Sequence, residues 1–318
     1  CVPVALLTGG GPRAYLAGAG VMARIGTALG WKHYAGGWHA TTTAGALGAA
    51  VTASVARGLD ADGLARAMAL AVPAAGGMQR AFGTDAKSLQ IGMAAEAGVR
   101  AAALAAAGAT ADLGVVEAWL RLLGGDPTAV DLRGPAVPGG LAIKLYPACY
   151  ALQRPISALR SAVAGINLDP AAVEAIEVRT PASSVQPLIH HDPQDGLQGK
   201  FSLEYAAATA LLDQRHGFDE FSDDAVRRPE AQRLVGLVDT TLEQSGDWLL
   251  AGEVHVVVHT ADGTHEATLD YPPGSPQRPP TEDELHEKLT TCLAGSGTDH
   301  AAITWDGSVD VLRHVFAR

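Results

Sequence analysis

Five alanine- and glycine-rich segments fill most of the first 133 residues. In each segment small or apolar residues recur at helical spacing, and Gly, Asp or Pro separates one segment from the next. Several segments are apolar on nearly all sides, which is typical of helices at the centre of a bundle. Their small side chains allow close helix packing. The predicted helices cover residues 13–29, 41–59, 61–75, 88–108 and 114–125.

The composition limits the class of protein. Of the 318 residues, 47% are hydrophobic but only 5% are aromatic, so small aliphatic side chains must build the core. The net charge of −11 argues against a nucleic-acid partner and against an anionic membrane surface. No apolar run reaches the roughly 18 residues of a membrane span. Three widely spaced cysteines without metal-site spacing favour a reduced, cytoplasmic location: Cys1, Cys149 and Cys292.

The sequence changes character at the Pro/Gly-rich stretch 133–147, which is typical of a domain boundary. After it, the pattern predicts alternating α and β elements and a hairpin with Ala261, Asp262 and Gly263 at its turn. The predicted elements are helices at 155–166 and 202–215 and strands at 173–180, 253–260 and 265–271. A second proline-rich stretch precedes a charged helix in which Thr281 and Glu284 are spaced as a capping box.

These features predict a mainly α protein with an α+β insertion. We expect a helical domain at 1–137, an α+β domain at 138–278 and a C-terminal segment at 279–318 that returns to the helical domain. The glycine-rich stretch GGGPRAYLAGAG (9–20) could suggest a nucleotide-binding loop. It lacks GxxxxGK[ST] and a complete GxGxxG, so a tight turn between two helices is the better interpretation.

His39 is the first candidate functional residue. It follows Gly36, Gly37 and Trp38 and precedes three threonines that open a small-residue helix. The threonines could cap this helix while His39 only packs. Alternatively, His39 lies in a loop before a helix N-terminus, where free N–H groups and the helix dipole favour an anion. This stretch by itself leaves both interpretations open.

Two lysines are further candidates. Lys87 precedes a helix of small residues, so its side chain either reaches solvent along the surface or faces a cavity. Lys144 lies in the stretch between the predicted domains, beside Tyr146 and Cys149. Clefts at such boundaries are common ligand sites, so a cation and a phenol there suggest a binding site.

The remaining histidines do not predict a metal site. His190 and His191 are adjacent in a loop, where neighbouring side chains diverge, and no third ligand has suitable spacing to them. His255 and His259 alternate with valines in a predicted strand and share one face of it. We expect that face to be exposed.

Four ordered stretches resemble the MmgE/PrpD family, which includes 2-methylcitrate dehydratase, cis-aconitate decarboxylase and iminodisuccinate epimerase. From the start of the first to the end of the last they cover a span of about 180 residues, which is far more specific than any single motif. The stretches are GGWHATTTAGALGAAVTASVARGLD (36–60), FGTDAKSLQIGMAAEAGVRAAALAAAG (82–108), IKLYPACYALQRPISAL (143–159) and DPQDGLQGKFSLEYAAATALLD (192–213). The resemblance implies a helical main domain, a smaller α+β lid and a cofactor-free, metal-free active site between them.

The resemblance also implies roles for individual residues. His39 would be the acid/base, and Lys87 with Lys144 would stabilise negative charge that develops on a small carboxylated substrate. Substrate-binding residues would be Thr41, Tyr146, Cys149 and Arg154, although Arg154 could equally form a salt bridge at the boundary surface. Lys200, in the stretch KFSLEY, is expected to be structural.

The implied reaction is dehydration, decarboxylation or epimerisation through proton abstraction next to a carboxylate, with a dehydratase-like lyase preferred and an isomerase second. Because some family members have histidine where this chain has Cys149, cis-aconitate decarboxylation is disfavoured. A homodimer is expected from the resemblance.

The chain departs from the family at its start. Family members carry about a hundred further residues, including an Asp- and His-containing segment, before the point matching VPVALL (2–7). We expect either a separate N-terminal chain, from a split gene or from self-cleavage before Cys1, or a segment that was not retained. Incidental cleavage or a truncated sequence is the competing interpretation. A non-catalytic or divergent biosynthetic subunit is therefore the alternative to an enzyme.

Overall fold

The computed structural model describes residues 1–213, 215–244, 246 and 248–310. The chain divides into two compact units. The first contains Cys1–Ala81, Ala86–Gly140 and Ser296–Arg318, and the second contains Phe82–Asp85 and Leu141–Gly295. The first boundary lies three residues beyond the one placed after residue 137. The charged helix after residue 280, which we assigned to the helical domain, belongs to the second unit.

The first unit is built from helices. The helix bounds are α1 Val2–Leu7, α2 Gly11–Ala35, α3 Ala40–Ala56, α4 Ala61–Ala71, α5 Asp85–Ala106 and α6 Val115–Leu122. Short 3-10 helices lie at Val72–Ala74, Gln79–Ala81, Pro127–Ala129 and His300–Ala302. Thr8–Gly10 turns the chain between α1 and α2, so the predicted tight turn lies at the start of the glycine-rich stretch, and residues 11–20 of that stretch belong to α2.

Small residues bring the helices of the first unit together. α3 is buried along most of its length and packs against α2 and α4. A Cβ atom added at Gly18 of α2 would collide with the Thr52 hydroxyl and the Gly48 carbonyl of α3. At Gly98 of α5 it would come 2.5 Å from the Ala49 Cβ atom. The core of this unit therefore depends on backbone contact more than on large side chains.

The second unit is mixed α/β. Its helices are α7 Gln153–Ala162, α8 Ala182–Val185, α9 Gly196–Gly199, α10 Leu203–Leu212, α11 Asp223–Val226, α12 Pro229–Val235 and α13 Glu282–Leu293. The strands are β1 Val173–Pro181, β2 Val238–Glu243, β3 Val254–Thr260 and β4 Gly263–Leu269. The 3-10 helices are Tyr150–Leu152, Pro170–Ala172 and Asp219–Phe221.

The four strands form one sheet in the order β2-β1-β3-β4. β1 pairs in parallel with β2 and antiparallel with β3, and β3 with β4 forms the predicted hairpin. The sequence prediction missed β2. α7 contacts β3 and β4 and also packs against α10, so one core holds the sheet and these helices together. The predicted capping box of α13 is confirmed, because Thr281 and Glu284 each bond the other residue's backbone N–H.

Within the described residues, no helix combines the length and apolar character that crossing a membrane requires. The helices and the four-stranded sheet together make the architecture mainly α with a small mixed sheet, in line with the predicted fold class.

Candidate functional site

His39 is the residue at which α3 begins. Its backbone is extended (φ −89°, ψ 92°), and its side chain does not cap the helix. Instead, its carbonyl oxygen accepts hydrogen bonds from the Thr42 backbone N–H at 2.9 Å and the Thr42 hydroxyl at 2.8 Å. Thr42 and Thr43 are buried, whereas Thr41 is exposed. The buried threonines hold the His39 backbone and leave its imidazole to make other contacts.

The loop at residues 77–79 also holds the backbone of His39. The His39 N–H donates to the Gly77 carbonyl at 3.0 Å, and the Gln79 N–H donates to the Gly37 carbonyl at 2.9 Å. Gly77 has φ +111°, and a Cβ atom there would collide with the Thr42 hydroxyl. A side chain at residue 77 would therefore push the two loops apart.

His33 supports the same loop from within α2. Its ring stacks on Trp38 with 5.6 Å between centroids and 6° between planes, and its Nε2 lies 3.0 Å from the Thr43 hydroxyl. Burial lowers the pKa of His33. A buried neutral imidazole thus contacts Trp38 and Thr43, which flank His39 in the chain, and sequence analysis did not single it out.

The His39 imidazole is 4% exposed and contacts a glutamine from α5. The Gln90 Nε2 atom lies 2.7 Å from His39 Nδ1. Gln90 also bonds the Met78 backbone, with Oε1 accepting from the N–H at 3.1 Å and Nε2 lying 3.3 Å from the carbonyl oxygen. Gln90 thereby joins α5, the 77–79 loop and the imidazole.

Lys87 lies one helical turn before Gln90 on α5. Residues three apart share one side of a helix, so Lys87 projects from the side that carries Gln90. Its side chain is half-buried. The first unit therefore brings the predicted Lys87 to the helix face that contacts His39.

Lys144, Tyr146 and Cys149 lie in one irregular stretch of the second unit. Lys144 is exposed, and its ammonium donates to the Ala148 carbonyl at 3.1 Å. Cys149 is buried in the core, and its N–H donates to the Lys200 carbonyl at 3.0 Å. Burial lowers the pKa of Lys200, whose ammonium lies 5.6 Å from the centre of the Phe218 ring.

Tyr146 lines a pocket of about 400 Å³ in the second unit. Its hydroxyl lies 3.0 Å from the Ser157 hydroxyl, and burial raises the pKa of the phenol. Charged side chains from α7 and α13 also line the pocket, including Arg160 and Glu287. The tyrosine therefore stays protonated at neutral pH and can donate or accept a hydrogen bond.

His216 lines the same pocket and is 3% exposed. An Arg160 guanidinium nitrogen lies 2.7 Å from its Nδ1 atom. Because a guanidinium only donates, Nδ1 is the acceptor. Burial, and to a smaller extent the Arg160 charge, lower the pKa of His216 to about 4. Sequence analysis missed this residue.

Arg154 does not lie at a boundary surface, as one of our two interpretations proposed. It is fully buried, and its guanidinium donates to the carbonyls of Gly252 at 2.5 Å, Asp270 at 3.0 Å and Leu250 at 3.3 Å. Another nitrogen of the group bonds the Ser184 hydroxyl. We assign Arg154 a structural role, because its donors bind backbone carbonyls of its own unit.

The other histidines have separate partners. His190 Nε2 lies 2.9 Å from the Phe82 carbonyl oxygen, and His191 Nδ1 lies 2.8 Å from a Glu204 oxygen. His255 and His259 share the outer face of β3 and are partly exposed. Among the residues that the structure describes, no three His, Cys, Asp or Glu side chains are placed to hold one metal ion.

Cys1 precedes α1 and is half-buried, with its sulfur 3.4 Å from that of Met22.

Sequence analysis missed Gln90, although it lies three residues after Lys87 within the stretch 82–108 that carried the resemblance. That helical spacing was the available signal.

Family models match both parts of the chain. The MmgE/PrpD N-terminal domain matches residues 13–122, and the MmgE/PrpD C-terminal domain matches residues 146–309. A helical unit and a mixed α/β unit correspond to these two matches. The chain belongs to the MmgE/PrpD family, as the resemblance indicated.

Two curated relatives are cis-aconitate decarboxylase from Aspergillus terreus and the same enzyme from its strain NIH 2624 / FGSC A1156. Each is 28% identical to this chain over 310 residues, which include 88% of the chain. The chain spans 63% of the length of these relatives.

Proposed function

We propose that this chain carries a lyase or isomerase activity of the MmgE/PrpD type on a small carboxylated substrate. The shared step would be the transfer of a proton at a carbon next to a carboxylate, followed by loss of water, loss of CO₂ or epimerisation. A dehydratase-like lyase is the first candidate. Family membership and the similarity to cis-aconitate decarboxylase support this proposal.

One structural observation carries the proposal for the active site. A buried imidazole, His39, has its backbone held by two loops and its Nδ1 atom in contact with Gln90, while Lys87 lies one turn from Gln90. Catalytic histidines require such control of ring position, because proton transfer and hydrogen bonding act over less than about 3.2 Å.

The chemistry suits these residue types. Proton abstraction next to a carboxylate places negative charge on an enediolate. Lys87 and Lys144 would supply positive charge near that developing charge, and such electrostatic stabilisation is usually the largest catalytic contribution. We propose that both lysines and His39 act on the same substrate. The reaction needs no cofactor in this scheme.

Cys149 bears on the specific reaction. Its thiol lies in the core of the second unit, in a position where some family members carry histidine. A buried thiol does not replace an imidazole as a proton donor near neutral pH. We therefore propose a reaction other than cis-aconitate decarboxylation, although the curated relatives carry that name.

Deuterium exchange tests the proposal even while the product is unidentified. The full-length natural protein is incubated in D₂O with a panel of small di- and tricarboxylates, and ¹H NMR follows exchange at the carbon next to each carboxylate. We expect one substrate to exchange or turn over. His39→Leu should lower the rate about 10²-fold or more. Lys87→Met and Lys144→Met should each lower it about 10²-fold.

An exposed lysine and a partly exposed histidine provide controls of the same residue types. Lys32→Met changes a lysine near the end of α2, and His255→Gln changes a histidine on the outer face of β3. Both should retain the rate of the unsubstituted protein. An unchanged rate in His39→Leu would remove His39 from the mechanism. No exchange or turnover with any carboxylate would favour the alternative, a non-catalytic subunit.

A further inference from the structure

The orientation of the Gln90 amide is determined by the Met78 backbone. The Met78 N–H can only donate, so the atom 3.1 Å from it must be the Gln90 oxygen. The Met78 carbonyl can only accept, so the atom 3.3 Å from it must be the Gln90 nitrogen. Rotating the amide by 180° would place the Gln90 nitrogen against the Met78 N–H, so that two donors meet. It would also place the Gln90 oxygen against the Met78 carbonyl, so that two acceptors meet.

This orientation of the amide determines which ring nitrogen of His39 accepts a hydrogen bond. The Gln90 nitrogen, which can only donate, lies 2.7 Å from His39 Nδ1. Nδ1 must then accept, and a neutral imidazole whose Nδ1 accepts carries its proton on Nε2. The surrounding backbone supports the arrangement, because Gly77 and Thr42 hold His39 and Met78 holds Gln90.

We propose that Gln90 is a positioning residue that keeps His39 in the neutral tautomer protonated on Nε2, so that His39 acts on the substrate as a hydrogen-bond donor rather than as the general base. The part of this proposal that concerns the substrate rests on the proposed function, whereas the tautomer does not. His39 would donate a hydrogen bond from Nε2 to the enediolate oxygen without losing that proton, and the proton removed from the carbon would pass to a base other than His39.

If His39 were the general base, it would need the opposite tautomer. A general base needs a lone pair on Nε2, which requires the proton on Nδ1. Nδ1–H would then point at the donating nitrogen of Gln90. The imidazolium form places the same N–H there. Gln90 therefore disfavours both states that an acid/base cycle at Nε2 uses, and it favours the neutral donor.

The tautomer can be measured without a substrate. Protein labelled with ¹⁵N-histidine gives different Nδ1 and Nε2 shifts for the two neutral tautomers, and a His39→Gln difference spectrum assigns the signals. We expect a protonated Nε2 and an unprotonated Nδ1 at neutral pH. A proton on Nδ1, in either the neutral or the charged ring, would overturn the proposal. The signals of His33, whose Nε2 lies beside the Thr43 hydroxyl, provide an internal reference.

Substitutions of Gln90 then test the effect on turnover. Gln90→Glu replaces the donor with a carboxylate that accepts from Nδ1–H, so it should reverse the tautomer and lower kcat about 10²-fold, as expected for loss of one donor to an oxyanion. Gln90→Leu removes the contact without imposing either tautomer and should lower kcat less. If Gln90→Glu reverses the tautomer but keeps or raises kcat, His39 is not the donor.

A control separates the tautomer from the added charge. Ser88→Glu adds the same charge to an exposed position of α5, two residues from Gln90. It should leave both the His39 signals and kcat unchanged, and its only kinetic effect should be an increase in KM. An equal loss of kcat in Ser88→Glu and Gln90→Glu would overturn the proposed role. If no carboxylate turns over, the proposed function fails and the NMR spectrum still decides the tautomer.

Discussion

The two units bury polar groups by different means. Among the described residues of the first unit, the buried polar side chains are imidazoles, hydroxyls and one amide, with no arginine, lysine or carboxylate among them. The second unit buries Arg154 completely, and it pairs Arg228 with Asp213 in a partly buried two-point contact of 2.8 and 2.7 Å. Its core also contains larger side chains, such as Tyr205 and Phe221.

The same contrast appears at two buried histidines. His39 and His216 both accept a hydrogen bond through Nδ1, at 2.7 Å in each case. The donor is a neutral amide from Gln90 for His39 and the Arg160 cation for His216. A neutral donor determines the tautomer, whereas a cationic donor also opposes protonation of the ring. Similar geometry therefore places different constraints on the two imidazoles.

Removing the buried cation should have the largest effect. Arg154→Met leaves the carbonyls of Leu250, Gly252 and Asp270 without their donor, and we expect a loss of about 4 kcal/mol in the free energy of unfolding. Urea denaturation measures it. Hydrogen exchange should rise most in peptides containing residues 248–271.

Arg179→Met is the matched control, because Arg179 lies in the same unit with its side chain 55% exposed. It should change stability by less than about 0.5 kcal/mol. Equal losses for the two substitutions would contradict a special role for the buried guanidinium.

Close helix packing in the first unit should give the next largest effect. Gly98→Val introduces atoms within 2.5 Å of the Ala50 nitrogen and 2.7 Å of the Ala46 carbonyl oxygen of α3. Since this contact is mostly backbone, we expect a loss of about 3 kcal/mol. Gly92→Ala, on an open face of the same helix, should instead stabilise the protein by about 1 kcal/mol. Thermal and urea unfolding would reveal whether the two changes have opposite signs.

The smallest expected effect concerns pH. Because the pKa of His216 is about 4 in the folded protein and near 6.5 when unfolded, only the unfolded chain takes up this proton between those values. Its contribution to stability is therefore complete above about pH 6.5 and is lost as the pH falls. Between pH 7 and pH 5, we expect His216 to account for about 2 kcal/mol of lost stability.

His216→Gln keeps an acceptor for Arg160 but cannot take up a proton. Its unfolding free energy should fall less over this pH range, measured by urea titrations at both pH values. Identical pH dependence in the two proteins would show that His216 is not buried in its neutral form.

Much of the fold was predictable because its signals are local. Helical spacing of apolar residues located α2 to α6, and the turn residues at Ala261–Gly263 located the β3–β4 hairpin. The strand β2 was missed because its sequence VDTTLE is mostly exposed, and its pairing partner β1 is about 60 residues away. Parallel pairing of this kind leaves no turn signal in the sequence.

The candidate site was predicted only in part. His39 and Lys87 stood out through their local patterns and the family resemblance, and the structure places Lys87 on the helix face that contacts His39. The interpretation of Arg154 as a surface residue was wrong, because burial of an arginine depends on carbonyls 96 to 116 residues away in the chain. His216 and its Arg160 partner are 56 residues apart and share no motif.

The sequence by itself determined the family, the division into a helical and a mixed part, and the position of His39 at the start of α3. Local periodicity, turn residues and short motifs carry that information. Only the tertiary structure decided which atom of His39 accepts a hydrogen bond. That choice depends on Gln90, 51 residues further along, and on the Met78 backbone that orients its amide, and such contacts exist only once the chain has folded.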